Sequence, residues 1–263
     1  MTLSLLGGRH ARIVSRLRGE LFVNLCRTFA ARGIAALGTI LLGVVLGRFY
    51  GAQGVGVFAL AQSVIFGAGI IACYGLNGSL MRYISQDNAS PYILRYLRWA
   101  LVRAGWLSLL LGGGIGLLHR QIAEAFGSPE LSSLLISIAV ATPAFTLSFV
   151  LAGFLKGVNM PARASLQENG SISLLAALCI LATVFVTDSR SLPQAGWAFC
   201  LSAWLVCLQG TLQMVLWLRR HPAVQRTDGG IPRRCLIEAS SSPPRRASSS
   251  STCRCFSSRW WRC

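Results

Sequence analysis

The chain has 263 residues, of which 53% are hydrophobic and only 13% charged, and its mean hydropathy is +0.56. Soluble domains carry about 25% charged residues. A chain this apolar cannot bury its surface in one water-soluble globule, so composition predicts an all-α integral membrane protein. The net charge of +17 would suggest nucleic-acid binding in a soluble protein. In a membrane protein such an excess marks the cytoplasmic face, so no nucleic-acid partner is expected.

Long apolar runs recur along the chain, each near the roughly 20 residues that a helix needs to cross a bilayer. They predict a bundle of about six transmembrane helices over residues 25–220, after a basic cytoplasmic segment of residues 1–24. The predicted spans are residues 25–47, 55–76, 99–118, 131–155, 171–186 and 195–218.

Basic residues near the span ends alternate between the two sides of the predicted bundle. If the N-terminus is cytoplasmic, the outer loops hold only Arg48, Arg120 and Arg190. The positive-inside rule therefore predicts that both termini are cytoplasmic and that Gly51 and Glu124 are outside. The residues gathered on the inner side are Arg9, Arg12, Arg16, Arg18, Arg82, Arg95, Arg98, Lys156, Arg163, Arg219 and Arg220.

A glycine-rich stretch, "LGRFYGAQGVGVF" at residues 46–58, joins the first predicted span to the second. The stretch does not favour a phosphate-binding loop, because no strand precedes it and no Lys-Ser/Thr pair follows it. Gly47, Gly51 and Gly54 instead predict a tight reversal on the outer face and close helix packing through small residues.

This stretch and the helix after it resemble a known family. "LLGVVLGRFYGAQGVGVFALAQSVIF" followed by "YGLNGSLMRYISQ" is similar to the opening of bacterial flippases for lipid-linked oligosaccharides. These flippases are a branch of the multidrug/oligosaccharidyl-lipid/polysaccharide exporter superfamily. Their members normally have two similar bundles, and the resemblance, over residues 15–225, covers only the first bundle. The residues that carry the pattern are Leu46, Gly47, Arg48, Gly51, Gly54, Gly56, Gly75, Leu76, Leu80 and Arg82.

The resemblance implies a flippase of the bacterial inner (cytoplasmic) membrane. Such a protein carries polyprenyl-pyrophosphate-linked oligosaccharide, destined for cell-surface polysaccharide such as lipopolysaccharide, through a cavity between two rocking bundles. The implied partners are the lipid-linked oligosaccharide, the phospholipid bilayer and polysaccharide assembly proteins. No cofactor is implied.

Three other functions remain open from the sequence. A drug/cation antiporter of the same superfamily would need a buried carboxylate, whereas the acidic residues of the spans map to loops or helix ends. A membrane polysaccharide polymerase or glycosyltransferase would need a carboxylate pair and a large loop. A structural membrane protein with a nucleic-acid-binding tail would lose that binding when the residues after Arg220 are deleted.

Arginines inside the predicted spans are the candidate site residues, because a charge in hydrocarbon is costly and usually faces a cavity or a partner. Arg27 and Arg32 lie in the inner half of the first span, Arg82 closes the second, and Arg103 lies just inside the third. Guanidinium groups bind phosphate oxygens well, so these four predict a pyrophosphate site, although snorkelling to the headgroups also explains such arginines.

The sequence shows no evident set of residues for catalysis or for metal binding. The sequence holds neither a Ser/His/Asp set nor a cluster of metal ligands, and its nine cysteines include no C-x-x-C pair. We therefore predict a protein that is not an enzyme and that has neither a metal site nor a disulfide framework.

The last segment, residues 221–263, is rich in serine, arginine, proline and cysteine and has no apolar periodicity. Such composition predicts a disordered tail. The resemblance predicts a seventh span here, so we expect that the tail arises from a frameshifted or truncated gene. A genuine basic tail for anionic lipid or nucleic acid is the competing interpretation.

Overall fold

The computed structural model describes residues 4–86, 93–187 and 191–220, and every regular element in these ranges is a helix. The predicted tail lies outside the described residues. The basic segment before residue 25 continues without a break into the first helix. The helices are α1 (Ser4–Cys73), α2 (Leu76–Gln86), α3 (Ile93–Leu117), α4 (His119–Ala125), α5 (Pro129–Gly157), α6 (Pro161–Ser165), α7 (Asn169–Thr187) and α8 (Leu192–Arg220).

The all-helical fold is confirmed, and all six predicted apolar runs fall on helices. Among the described residues, 4 helices are long and apolar enough to cross a membrane, and the apolar segment Gly170–Phe185 of α7 is shorter. The count of six spans therefore stays a prediction, since it requires α1 to cross twice and α7 to cross despite its length. The four long segments are Leu25–Cys73, Ile93–Leu117, Pro129–Gly157 and Leu192–Arg220.

Helix α1 reverses direction at Gly51, which divides it into a first limb of residues 4–50 and a second limb of residues 52–73. Gly51 has φ 73° and ψ 179°, a backbone conformation open essentially to glycine alone. The limbs then run back along each other, because a Cβ placed on Gly47 would lie 3.8 Å from Val55 Cγ2. The predicted reversal within residues 47–54 thus requires a single non-helical residue.

Helix α5 is the centre of the bundle, since α1, α2, α3, α4, α6 and α8 all pack against it. Pro143 lies in its interior and removes one backbone donor. The hydroxyls of Thr142 and Thr146 donate to the carbonyls of Ile138 and Thr142, at 2.8 and 2.9 Å. These bonds satisfy the buried hydroxyls within the helix, as an apolar solvent requires.

The interior consists of two apolar clusters. The larger one joins both limbs of α1 to α5, α7 and α8. The smaller one lies at the end of the bundle where α3 begins and where α5 and α8 end, and it contains Leu97, Phe154 and Trp217. The rings of Phe154 and Trp217 meet edge to face at 5.4 Å. The shared cluster shows that these three helix ends lie on the same side of the bundle.

Close backbone contact between helices needs glycine at the crossing of α3 and α5. A Cβ on Gly112 would lie 2.7 Å from the carbonyl oxygen of Ala139, a backbone atom that cannot move aside as a side chain can. The next residue, Gly113, has nothing within 4 Å of the same position. Only the first of these adjacent glycines is required by packing.

We expect Gly112→Ala to destabilise the bundle by about 1–3 kcal/mol, because overpacking a tight contact forces the helices apart. Unfolding in mixed detergent micelles measures this change. The matched control is Gly113→Ala, which has open space and should leave stability unchanged or raise it through better helix propensity. Equal stability of the two variants would contradict the packing role of Gly112.

Candidate functional site

The exposed surface of the first limb of α1 is divided into an apolar stripe and a stripe of small or polar residues. Arg32, Ala36, Thr39 and Gly43 are all exposed and follow one another at steps of four, three and four residues. This spacing places them on one helix face, which we call the polar stripe. The neighbouring face is apolar and exposed, with Ile34, Leu37 and Val44.

Thr39 and Gly43 of the polar stripe line a groove between the two limbs of α1 and α7, here called the α1 groove. Its volume is about 100 Å³, room for roughly three waters at the share of volume that each takes in the liquid. The second limb and α7 contribute Gln62 and Ser173 as polar groups. The remaining walls are formed by Leu42, Leu46, Val55, Phe58 and Ala59.

Hydrogen-bonding groups of the α1 groove differ in whether the protein already satisfies them. Thr39 Oγ1 donates to the carbonyl of Ala36 at 2.7 Å. Ser173 Oγ is fully buried and has no hydrogen-bond partner among the described residues. A buried hydroxyl without a partner is costly, so Ser173 is the unsatisfied polar group in the lining of the groove.

The four arginines predicted as one site are divided between two regions. Arg27 and Arg32 lie on the first limb of α1, which packs against α7, whereas Arg82 lies on α2 and Arg103 on α3. All four are exposed. Only Arg32 lies on the polar stripe, since Arg27 is about 140° away around the helix.

Arg82 and Arg103 flank a row of aromatic rings, here called the aromatic ladder, that joins α2 to α3. Tyr83 packs against Tyr96 at 5.0 Å, and Tyr96 stacks on Trp99 at 5.8 Å. The guanidinium carbon of Arg103 lies 5.3 Å from the centre of the Trp99 ring. Tyrosine, tryptophan and arginine in such contact are typical of the membrane–water interface, so interfacial packing accounts for Arg103, and Arg82 lies beside Tyr83 in the sequence.

No described charged residue lines the α1 groove, and Arg32 lies on the same face of α1 about two helical turns before Thr39. In the described ranges no three His, Cys, Asp or Glu side chains come together as a metal site. Among the side chains that the structure describes, one ion pair joins Lys156 to Glu168 at 2.7 Å, between the end of α5 and the start of α7. The groove can therefore exchange hydrogen bonds with hydroxyl groups, and Arg32 can bind an anion.

Sequence reasoning identified Arg32 but missed the polar groups of the groove. The spacing of Arg32, Thr39 and Gly43 in the sequence predicts that they share one helix face. Gln62 and Ser173 had no such signal, because only the packing of α7 and the second limb brings them beside that face.

Comparison with known proteins gives one informative match. A family model described as polysaccharide biosynthesis protein matches residues 21–219, a range that runs from the first limb of α1 into the last turn of α8. The match confirms the resemblance found in the opening residues. No curated protein and no solved structure shows a significant similarity to the chain.

We expect a cysteine at position 43 to be reached by water, because Gly43 lines the α1 groove and a side chain there would have nothing within 4 Å. In a variant without native cysteines, Gly43→Cys should react quickly with a small charged thiosulfonate reagent, since only the thiolate reacts. The control is Val44→Cys, at the same depth on the exposed apolar face. Equal rates at the two positions would show that the groove is no more hydrated than the lipid-facing surface.

Proposed function

The chain belongs to the polysaccharide biosynthesis protein family, and from that premise we propose that it exports lipid-linked oligosaccharide across the bacterial cytoplasmic membrane. The family match and the apolar helices establish a multi-pass membrane protein with a role in polysaccharide biosynthesis or export. The proposal adds the substrate, a polyprenyl-pyrophosphate-linked oligosaccharide, and the flippase activity. The observation that carries it is the placement of Arg32 on the polar stripe above the α1 groove.

The chemistry of this face suits such a substrate. A guanidinium binds the oxygens of a pyrophosphate through paired hydrogen bonds. Thr39, Gln62 and Ser173 offer hydroxyl and amide groups of the kind that sugar hydroxyls bind. Arg32 and Thr39 lie on the exposed face of α1, where a second bundle would complete a central cavity.

The rival functions fit this face less well. A cation antiporter needs a buried carboxylate. Among the described acidic residues, Glu130 lies in the first turn of α5. The others, Glu20, Glu124 and Glu168, lie outside the long apolar segments. A glycosyltransferase or polymerase would need carboxylates around its acceptor, and the α1 groove has none. We therefore propose a transporter rather than an enzyme, with assembly proteins and the bilayer as its partners.

Cysteine labelling tests the proposed six-span topology with its cytoplasmic N-terminus. In cells that express a variant without native cysteines, Glu124→Cys should react with an impermeant reagent. Arg163→Cys should react only after the membrane is made permeable. Both parent side chains are exposed in short helices, α4 and α6, so access depends on the side of the membrane. The opposite labelling pattern would reverse the orientation.

Arg32 variants test the proposed substrate. In an exporter-deficient bacterial strain, the chain is expressed with the second bundle of a family member, and export of polymer is measured. Arg32→Gln and Arg32→Ala should lower export at least tenfold, because a paired anion contact is worth about 1.5–3 kcal/mol. Arg32→Lys should retain part of the export as a point charge.

Two controls make this experiment decisive. Arg27→Ala removes a nearby arginine off the polar stripe and should leave export near the parental rate. Each variant's amount in the membrane is measured alongside. Parental export by Arg32→Ala would contradict the assigned role, and failure of the parental pair to restore export would contradict the flippase function itself.

A further inference from the structure

An open apolar groove, the α3 groove, lies between α3, α5 and α8, apart from the polar stripe of α1. Its volume is about 380 Å³, within the range of small-molecule sites. Its main lining residues are Val102, Gly105, Trp106 and Leu109 on α3 and Leu147 and Leu151 on α5. The one hydroxyl in its lining, Thr211 of α8, donates to the carbonyl of Leu208 at 2.7 Å. The groove thus offers no free polar group and suits a hydrocarbon chain.

The α3 groove has the length of one leaflet. Leu101 and Leu109 mark its extent on α3, which corresponds to about 12 Å of helix. Half of the hydrocarbon core measures about 15 Å. The aromatic ladder of Tyr83, Tyr96 and Trp99 lies immediately before the groove on α2 and α3 and marks the headgroup level.

Positive charge is concentrated at the headgroup end of the α3 groove. Arg98 is exposed and lies one helical turn before Val102, on the groove face of α3. Arg219 and Arg220 form the last turn of α8 on the same side of the bundle, where Leu97 and Trp217 share a core cluster. Among the described side chains, none of these three arginines has an acidic partner.

We propose that the α3 groove binds one anionic phospholipid, with an acyl chain along Trp106 and the phosphate at Arg98. The apolar lining fits the tail, the aromatic ladder fixes the depth, and the arginines attract a negative headgroup over a zwitterionic one. This site is separate from the polar stripe, and it would be occupied whether or not the protein transports oligosaccharide.

Fluorescence quenching tests the proposal on the full chain in phosphatidylcholine vesicles. Brominated phosphatidylglycerol or brominated phosphatidylcholine is added as quencher. The fluorescence of Trp106 is obtained by subtracting the fluorescence of the Trp106→Phe variant from that of the parent chain. We expect the anionic lipid to associate about fivefold more strongly than the zwitterionic lipid. Arg98→Gln should reduce this preference to near parity, whereas Arg120→Gln, on α4, should leave it unchanged.

A second experiment fills the α3 groove with a larger side chain and measures the bound lipid. A Cβ added to Gly105, which lines the α3 groove, would have nothing within 4 Å, so we expect the side chain of Gly105→Leu to extend into the groove. Mass spectrometry of the purified protein should then show loss of co-purified phosphatidylglycerol. Gly113→Leu, equally open on the same helix and outside the groove, should keep it.

Two results would overturn the proposal. Equal quenching by the two brominated lipids would show that the groove is ordinary lipid-facing surface. Complete displacement of brominated phosphatidylglycerol by an equal mole fraction of polyprenyl phosphate would make the carrier lipid the occupant instead of a phospholipid.

Discussion

Close backbone packing against α5 determines the rest of this structure. In a bilayer the hydrophobic effect does not drive helices together, so association depends on contact area and small residues. Gly112 of α3 meets the backbone of Ala139, and Gly196 of α8 meets Ser137. On the other end of α5, Gly153 and Gly157 leave room for α2. Neighbours held this closely cannot slide past one another, so the bundle is suited to move as one body.

A rigid bundle also fixes which surfaces face outward, and here they differ in chemistry. The α1 face presents an arginine, hydroxyl groups and an amide beside small residues. The face between α3, α5 and α8 presents hydrocarbon with arginines at one end. A substrate with a pyrophosphate and sugars is complementary to the first face, and a bilayer lipid is complementary to the second. The proposed substrate and the proposed lipid would therefore occupy different faces of the same bundle.

Much of this fold was predictable, because span length and hydropathy are properties of local sequence. The prediction missed α2, α4 and α6, which are too short and too polar to register as spans. Helix α2 nevertheless carried a signal, since Leu76, Leu80 and Ile84 recur at four residues and all three are buried. Its position against Gly153 and Gly157 could not be predicted, because contacts between distant segments leave no local period in the sequence.

The candidate site was less predictable than the fold, and Arg32 shows why. The position of Arg32 inside the first predicted span suggested a costly charge in hydrocarbon. However, the helix between Arg32 and Arg48, which lies near the end of the first limb of α1, is only about 24 Å long. The hydrocarbon core is roughly 30 Å thick. An arginine within a few ångströms of the headgroups reaches them by snorkelling at little cost. Depth alone therefore does not distinguish Arg32 from Arg27.

The face of the helix does distinguish them. Arg103, at comparable depth in α3, lies against the Trp99 ring, which holds its guanidinium among interfacial aromatics. Arg32 has no acidic partner among the described residues and lies on the same face as Thr39 and Gly43, above a buried hydroxyl that the protein leaves unpaired. An exposed charge on this face and a buried hydroxyl of α7 behind it distinguish Arg32 from Arg27 and from Arg103.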